Sequence, residues 1–478
     1  MKEVSEKLTP KENFSEWYHD IIEKAEIVDV RYPVKGLYVY FPFGFKIRKF
    51  VYQKLRELLD REHDEVYFPA LIPETELKKE GQHIKGFEEE VYWITHGGSS
   101  PLDIKLALRP TSETAMYPIF KLWIRSHADL PLRTYQIVNT FRYETKHTRP
   151  LIRMREITSF KEAHTAHATF EDAEEQVKKA ISLYKEFYDF LALPYIVIRR
   201  PDWDKFPGAV YSIAFDTVVP DGRTLQIGTV HHLSNNFAKT FDITYEKPNG
   251  EHEYVYQTCY GISDRCISAL ISVHGDDLGL VLPFEVAPVQ IVIIPVLYRG
   301  EEEAIMTLVR DLERRLKKYR VIVDDSDERP GAKYYKWELK GAAIRIEIGP
   351  REVKENSVIV SFRNDRKKFS VPADEVDRRI EEFAKEMKQK MYLDALERMK
   401  QFVKYFEDTE ELAEWIGEGV GLIYLCESTD CGEFIEENAK CSVLGKIEEI
   451  PEWISRKATG NCIKCGADGY LTAVAKPY

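Results

Sequence analysis

Residues 139–167 read NTFRYETKHTRPLIRMREITSFKEAHTAH. Arginines 142, 149, 153 and 155 fall within 14 positions, with Glu144, Glu156 and Glu162 among and after them. Planar guanidinium groups hold phosphate oxygens through paired N–H donors. An arginine-rich turn between two strand-like runs therefore suits a polyphosphate, although a charge run of this kind can also be a solvated, ion-paired hairpin.

Working outward, residues 11–26 and 44–62 carry helical apolar spacing, the second running into the strand-like VYFPALI, and residues 170–192 form a strong amphipathic helix. The runs YIVIRR, YSIAFDTVV, TLQIGTVHHL and DITYE follow, separated by turns, and imply an antiparallel sheet. Near Pro283 the texture changes. VQIVIIPVL, EEEAIMTLVRDLERRLKKY, RVIVDD, AKYYKWELKG and AAIRIEIG alternate strand and helix, the pattern of a small α/β domain. A charged helical stretch from Ala373 to about Phe406 leads to a cysteine-rich tail. The fold class read from this order is α+β with three domains, at 1–285, 286–395 and 396–478.

The 478 residues carry 44% hydrophobic and 31% charged side chains, the balance of a soluble globular chain. No apolar run is long enough to span a bilayer, and the first residues lack the apolar block of a secretion signal, so the expectation is a cytoplasmic protein without membrane attachment. Net charge is −12, yet residues 286–390 hold 23 Lys+Arg against 20 Asp+Glu, leaving −15 elsewhere. A polyanion would prefer that middle segment. Of seven cysteines, five lie in the last 53 residues. Cys426-x4-Cys431 and Cys462-x2-Cys465 form two close pairs suited to a tetrahedral, structural Zn²⁺, with Cys441 left over as a buried thiol.

The order F-R-x-E, a loop ending T-R-P-L-I-R, then R-E resembles motif 2 of the class II aminoacyl-tRNA synthetases. The stretch from Val39 through Glu65-Val-Tyr-Phe-Pro69 resembles motif 1, which forms the dimer interface of that class. Gly261-Ile-Ser-Asp-Arg265, before an apolar helix, resembles motif 3. Within the class, Thr111-Ser112-Glu113 matches the T-x-E loop of subgroup IIa, which holds the substrate ammonium. The loop Lys205-Phe-Pro-Gly-Ala209, the run Leu225 to His232, Tyr256 to Gly261, and His274 to Pro283 resemble the archaeal/eukaryotic-type prolyl-tRNA synthetase family. Two departures stand out: EITSFKEAH follows Arg155 where many relatives read EFLWQEGH, and Cys259-Tyr260 replaces Ser-Trp.

The resemblance implies a class II catalytic domain (an antiparallel sheet flanked by helices), an α/β anticodon-binding domain and a small zinc-containing α+β domain. It implies activation of L-proline by ATP with Mg²⁺, transfer to tRNA-Pro, and a homodimer. Arg142 and Arg265 would clamp the α- and γ-phosphates. Glu144, Arg153, Phe160, Gln226 and Thr229 would complete the ATP site, and Thr111, Glu113, Arg142, His231 and Cys259 the proline site. Glu338 and Arg345 match the residues that read anticodon guanines, and could otherwise be an ion pair. Tyr478 would pack toward the active site. Motifs 2 and 3 are close together: Glu156 and Arg265 are 109 positions apart, with no room for an inserted editing domain. The alternatives are a threonyl or seryl enzyme of the same subgroup, or a non-catalytic paralogue that binds tRNA. Gly417-Glu-Gly-Val-Gly421 lacks the spacing of a dinucleotide loop, and His164-x-x-His167 reads as structural.

Overall fold

The computed structural model describes residues 7–79, 90–145 and 147–478. At its centre lies an antiparallel sheet. Leu132–Phe141 pairs with Glu156–His167, which pairs with Tyr256–Ile262, then Thr224–Ser234, Tyr211–Val218 and Ile196–Arg199. The short strand Asp64–Glu65 adds to the outer edge, parallel to Leu132–Phe141. Two helices seal one face. Phe170–Phe190 begins where the Thr169 side chain accepts the Asp172 N–H, with Glu171 and Asp172 facing the positive helix end. It buries Ala173, Val177, Ala180, Tyr184 and Phe187 on one stripe. Arg265–His274 buries every residue from Cys266 to His274, as an apolar helix enclosed on all sides must.

The sheet does not stop at the catalytic strands. Ser442–Glu449 pairs antiparallel with Ile196–Arg199, and Asp468–Ala475, Val420–Leu425 and Val403–Tyr405 continue from it. Arg199 fixes the seam by a two-pronged ion pair with Glu448, at 2.8 and 2.7 Å. A separate five-stranded sheet orders Val321–Val323, Ile291–Pro295, Ile344–Ile348, Ser357–Phe362 and Lys368–Pro372, the first three parallel. Helices Glu302–Arg315 and Pro330–Leu339 connect its parallel strands.

Two local expectations need correcting. VYFPALI is not one strand: after Asp64–Glu65 the chain leaves the sheet and re-enters a different one at Leu71–Pro73. Pro69 has no N–H to offer a ladder, and the N–H and C=O of Phe68 are taken by the side chains of Gln136 and Arg109. The charged helix Val376–Gln401 ends before Phe406, because Phe402, Val403 and Tyr405 turn into the C-terminal core and Val403–Tyr405 becomes a strand.

Candidate active site

The strands Glu156–His167, Tyr256–Ile262, Thr224–Ser234 and Tyr211–Val218 floor a cavity of about 340 Å³. Its lining includes Arg142, Glu144, Arg153, Phe160 and Arg265, then Gln226 and Thr229, then Thr111, Glu113, His231 and Cys259. These eleven residues come from stretches more than 150 positions apart in sequence, brought together by strand order.

One end is cationic. Arg265, first residue of its helix, donates through Nε to Ile152 O at 2.8 Å. Burial, and then the nearby Arg142 and Arg153, press its pKa down to about 10, and Glu144 and Asp216 offset only part of that. Arg142 donates to Pro110 O at 3.1 Å and lies 5.8 Å from the centre of the Phe160 ring. The Arg153–Glu144 pair is long, at 3.7 Å. Such a site favours an anion that carries several charges.

The other end is nearly neutral. The Thr111 hydroxyl donates to both Glu113 and Glu162, and Glu162 also accepts from the Ser112 N–H and hydroxyl. Burial and then the neighbouring Glu113 push Glu162 up to about 7, against the pull of its Ser112 and Thr111 donors. Burial keeps His231 uncharged, at about 3; its Nδ1 meets Ser212 Oγ at 2.7 Å and its ring lies against Phe206, 4.8 Å between centres. Burial, then Glu113, raises the Cys259 thiol far above its ordinary range, leaving it protonated. Buried carboxyl groups among apolar and neutral side chains suit one ammonium on a small apolar body.

Several lining residues carried no assigned role in the sequence. Glu162 was visible only as one acid in a charged run. Ser212 and Arg200 come from the strand-like runs 211–219 and 195–200, where nothing in a single sequence marks a polar residue as facing a cleft. Arg200 is held by the buried Asp216 at 3.1 Å. His164 is not structural alone: Nδ1 bonds the Tyr117 hydroxyl at 3.0 Å, and the ring lines the cleft. Tyr478 packs 5.1 Å from the Arg149 guanidinium, and Arg149 Nη1 donates to its hydroxyl at 2.9 Å. That contact pins the loop that carries Arg153.

Glu338 and Arg345 lie apart from the cleft, in a notch of about 10 Å³ on the five-stranded sheet. They pair with each other at 3.0 Å, and Arg345 also meets Glu347 at 3.0 Å. Cys426, Cys431, Cys462 and Cys465 place their sulfurs within 4.8 Å of one another, and Cys426 and Cys465 are 3.8 Å apart. Four thiolates about 2.3 Å from a tetrahedral Zn²⁺ would stand about 3.8 Å apart, so the set fits that ion. Burial disfavours the Cys462 thiolate, but backbone N–H groups of Cys465, Cys426 and Lys464 outweigh it and draw the thiol down to about 6. Cys441 is half-buried and stands outside the set.

Fold and cleft together define a class II aminoacyl-tRNA synthetase. Residues 92–274 match the class II core domain shared by the G, H, P, S and T enzymes, and residues 290–383 match the anticodon binding domain. A proline–tRNA ligase of Archaeoglobus fulgidus is 69% identical over 98% of this chain and 100% of its own. The solved prolyl-tRNA synthetase of Giardia lamblia, in complex with prolyl-adenylate, superposes with a TM-score of 0.93 at 35% identity, covering 99% of this chain and 100% of that one. That of Cryptosporidium parvum, with L-proline and AMP, gives 0.89 at 32% identity over 99% and 97%. The chain belongs to the prolyl-tRNA synthetase family.

Proposed function

We propose that this chain activates L-proline with ATP to prolyl-adenylate and transfers the prolyl group to tRNA-Pro. The observation that carries the reading is the division of one cavity into a three-arginine end and an end that holds the buried acids Glu113 and Glu162. Proline fits the second: its ammonium meets Glu113 and Thr111, and its ring lies among Phe206, His231 and Cys259. The triphosphate fits the first, with the adenine against Phe160 and the ribose side toward Gln226 and Thr229.

The proline carboxylate is already a nucleophile, so no general base is required. One carboxylate oxygen attacks the α-phosphorus, the bond to the β-phosphate oxygen breaks, and pyrophosphate leaves with the electron pair. The residues supply alignment and charge. Arg142 stabilises the α-phosphate oxygens as charge builds there, and Arg265 the γ-phosphate. In the second step a ribose hydroxyl of the tRNA attacks the prolyl carbonyl, and AMP is released.

Glu144 offers a hard oxygen donor beside the phosphates, of the kind Mg²⁺ takes, and Mg²⁺ bound there would share the phosphate charge. The four clustered cysteines would hold a structural Zn²⁺, since four thiolates leave no open position for chemistry. Phe45 on the helix Pro42–Leu59, 48% exposed, and Tyr67, 77% exposed, support a homodimer through this face. A cytoplasmic site of action accords with a translation enzyme, and among the described residues no helix is long and apolar enough to cross a membrane. The testing experiment is charging of a tRNA-Pro transcript with labelled proline. Prolyl-tRNA and one AMP per charged molecule are expected; no charging in the presence of ATP and Mg²⁺ would refute the reading.

A further inference from the structure

The helix that starts at Arg265 ends at His274, and the next turn leaves the catalytic domain. In that turn Asp276 accepts two hydrogen bonds from Arg363 of the five-stranded domain, from Nη1 at 2.9 Å and from Nη2 at 2.6 Å. The third guanidinium donor, Nε, bonds Glu338 O at 2.9 Å. The Arg363 side chain is 1% exposed. The same arginine therefore holds the turn after the phosphate-site helix and the backbone of Glu338, with every arm occupied.

The surrounding contacts serve the same joint. The Asp276 carboxylate also accepts from the Leu278 and Gly279 N–H groups, and its carbonyl accepts from Trp17 Nε1 at 3.0 Å. Leu280 N–H donates to Leu339 O at 3.1 Å. Gly279 has φ +144°, and a Cβ there would lie 2.3 Å from Leu339 Cα, so only glycine lets the two backbones meet. Two-pronged arginine–carboxylate pairs fix distance and orientation together. A loose tether between domains would not need an arginine buried with all its arms engaged in this way.

We infer that Asp276 and Arg363 are positioning residues which lock the anticodon-binding domain against the catalytic domain, so that a tRNA held at Glu338 and Arg345 presents its acceptor end to the cleft. Neither residue lies in the cavity that holds ATP and proline, so adenylate formation does not depend on the lock. The inference rests on the reading of Glu338 and Arg345 as the anticodon contact.

The test compares proline-dependent ATP–pyrophosphate exchange with charging of native and anticodon-substituted tRNA-Pro transcripts. Asp276→Asn should keep the exchange rate of the unaltered chain while kcat/KM for charging falls by about 10²-fold, the cost of a misplacement near 1 Å. Because exchange itself reports a folded catalytic domain, the split separates positioning from collapse. Equal loss in both reactions, or undiminished charging by Asp276→Asn, would overturn the lock. The anticodon reading fails separately, if the unaltered chain charges the anticodon-substituted transcript as well as the native one; the lock would then still stand or fall on the split between exchange and charging.

Discussion

The catalytic cleft and the anticodon notch both use arginines and carboxylates, but they keep them in opposite states. In the cleft, Arg142, Arg153 and Arg265 crowd together; burial and then that crowding lower the pKa of Arg265, and Glu144 stands 3.7 Å from Arg153. In the notch, Glu338 and Arg345 satisfy each other at 3.0 Å, and Arg345 has a second partner in Glu347. The first site is set for charge before the ligand arrives; the second, in its proposed anticodon role, would have to trade existing ion pairs for base edges. Preorganised charge gives large rate effects, whereas a traded contact gives only the difference between two good partners.

That contrast can be broken by mutation, and the largest effect belongs in the cleft. Arg265→Ala and Arg142→Ala should each lower adenylate formation by about 10²-fold or more, measured as proline-dependent pyrophosphate exchange. A loss below threefold in both would remove the phosphate assignment.

Next come the paired acids at the neutral end. If Glu113 takes the proline ammonium as proposed, Glu113→Gln should raise KM for proline by roughly 10–100-fold, the value of a charged hydrogen bond. Glu162 is half-protonated near pH 7, with its pKa raised to about 7, so Glu162→Gln should cost less. If the two variants reverse in order, Glu162 holds the substrate instead. Because the Glu162 pKa is raised, the protonated form dominates below pH 7 and is lost above it, so the gap between the two variants should narrow as pH rises through 7.

In the notch, Arg345→Ala should lower charging of tRNA-Pro by about tenfold or more, the range for a lost base contact, while leaving exchange alone. Equal loss in both reactions would make the Glu338–Arg345 pair a structural strut. The smallest effect belongs to the metal: about one Zn²⁺ per chain is expected, and its removal should lower thermal stability without moving KM for proline or ATP, because the cysteine cluster lies outside the cleft. Reduced protein without zinc would refute that site.

Much of this was legible in the sequence because the informative residues are ordered along the chain. The arginine run at 142–155, the T-x-E at 111–113 and Asp264-Arg265 stand out in the sequence, and the structure gathers Arg142, Arg153, Arg265, Thr111 and Glu113 around one cavity. The helices at 170–190 and 302–315 follow directly from apolar spacing. What escaped depends on pairing across strands. Whether Ser212 faces His231 is set by register between Tyr211–Val218 and Thr224–Ser234, which also contains a bulge. The break in VYFPALI depends on Gln136 and Arg109 reaching back to Phe68, and the raised pKa of Glu162 on its burial beside Glu113. The sheet that runs unbroken from the catalytic strands into the C-terminal ones joins positions 196–199 and 442–449, a separation no local pattern carries.

The central claim is that the neutral end of the cleft is built for proline. The most direct measurement is ATP–pyrophosphate exchange with each of the twenty amino acids in turn. Proline should give the fastest exchange by a wide margin. Alanine should follow at a low rate, since a pocket cannot exclude a smaller body and loses only about 1–3 kcal/mol for each missing methylene. With no editing domain between Glu156 and Arg265, preformed alanyl-tRNA-Pro should survive incubation with the enzyme. Faster exchange with threonine, serine or any amino acid other than proline would contradict the account.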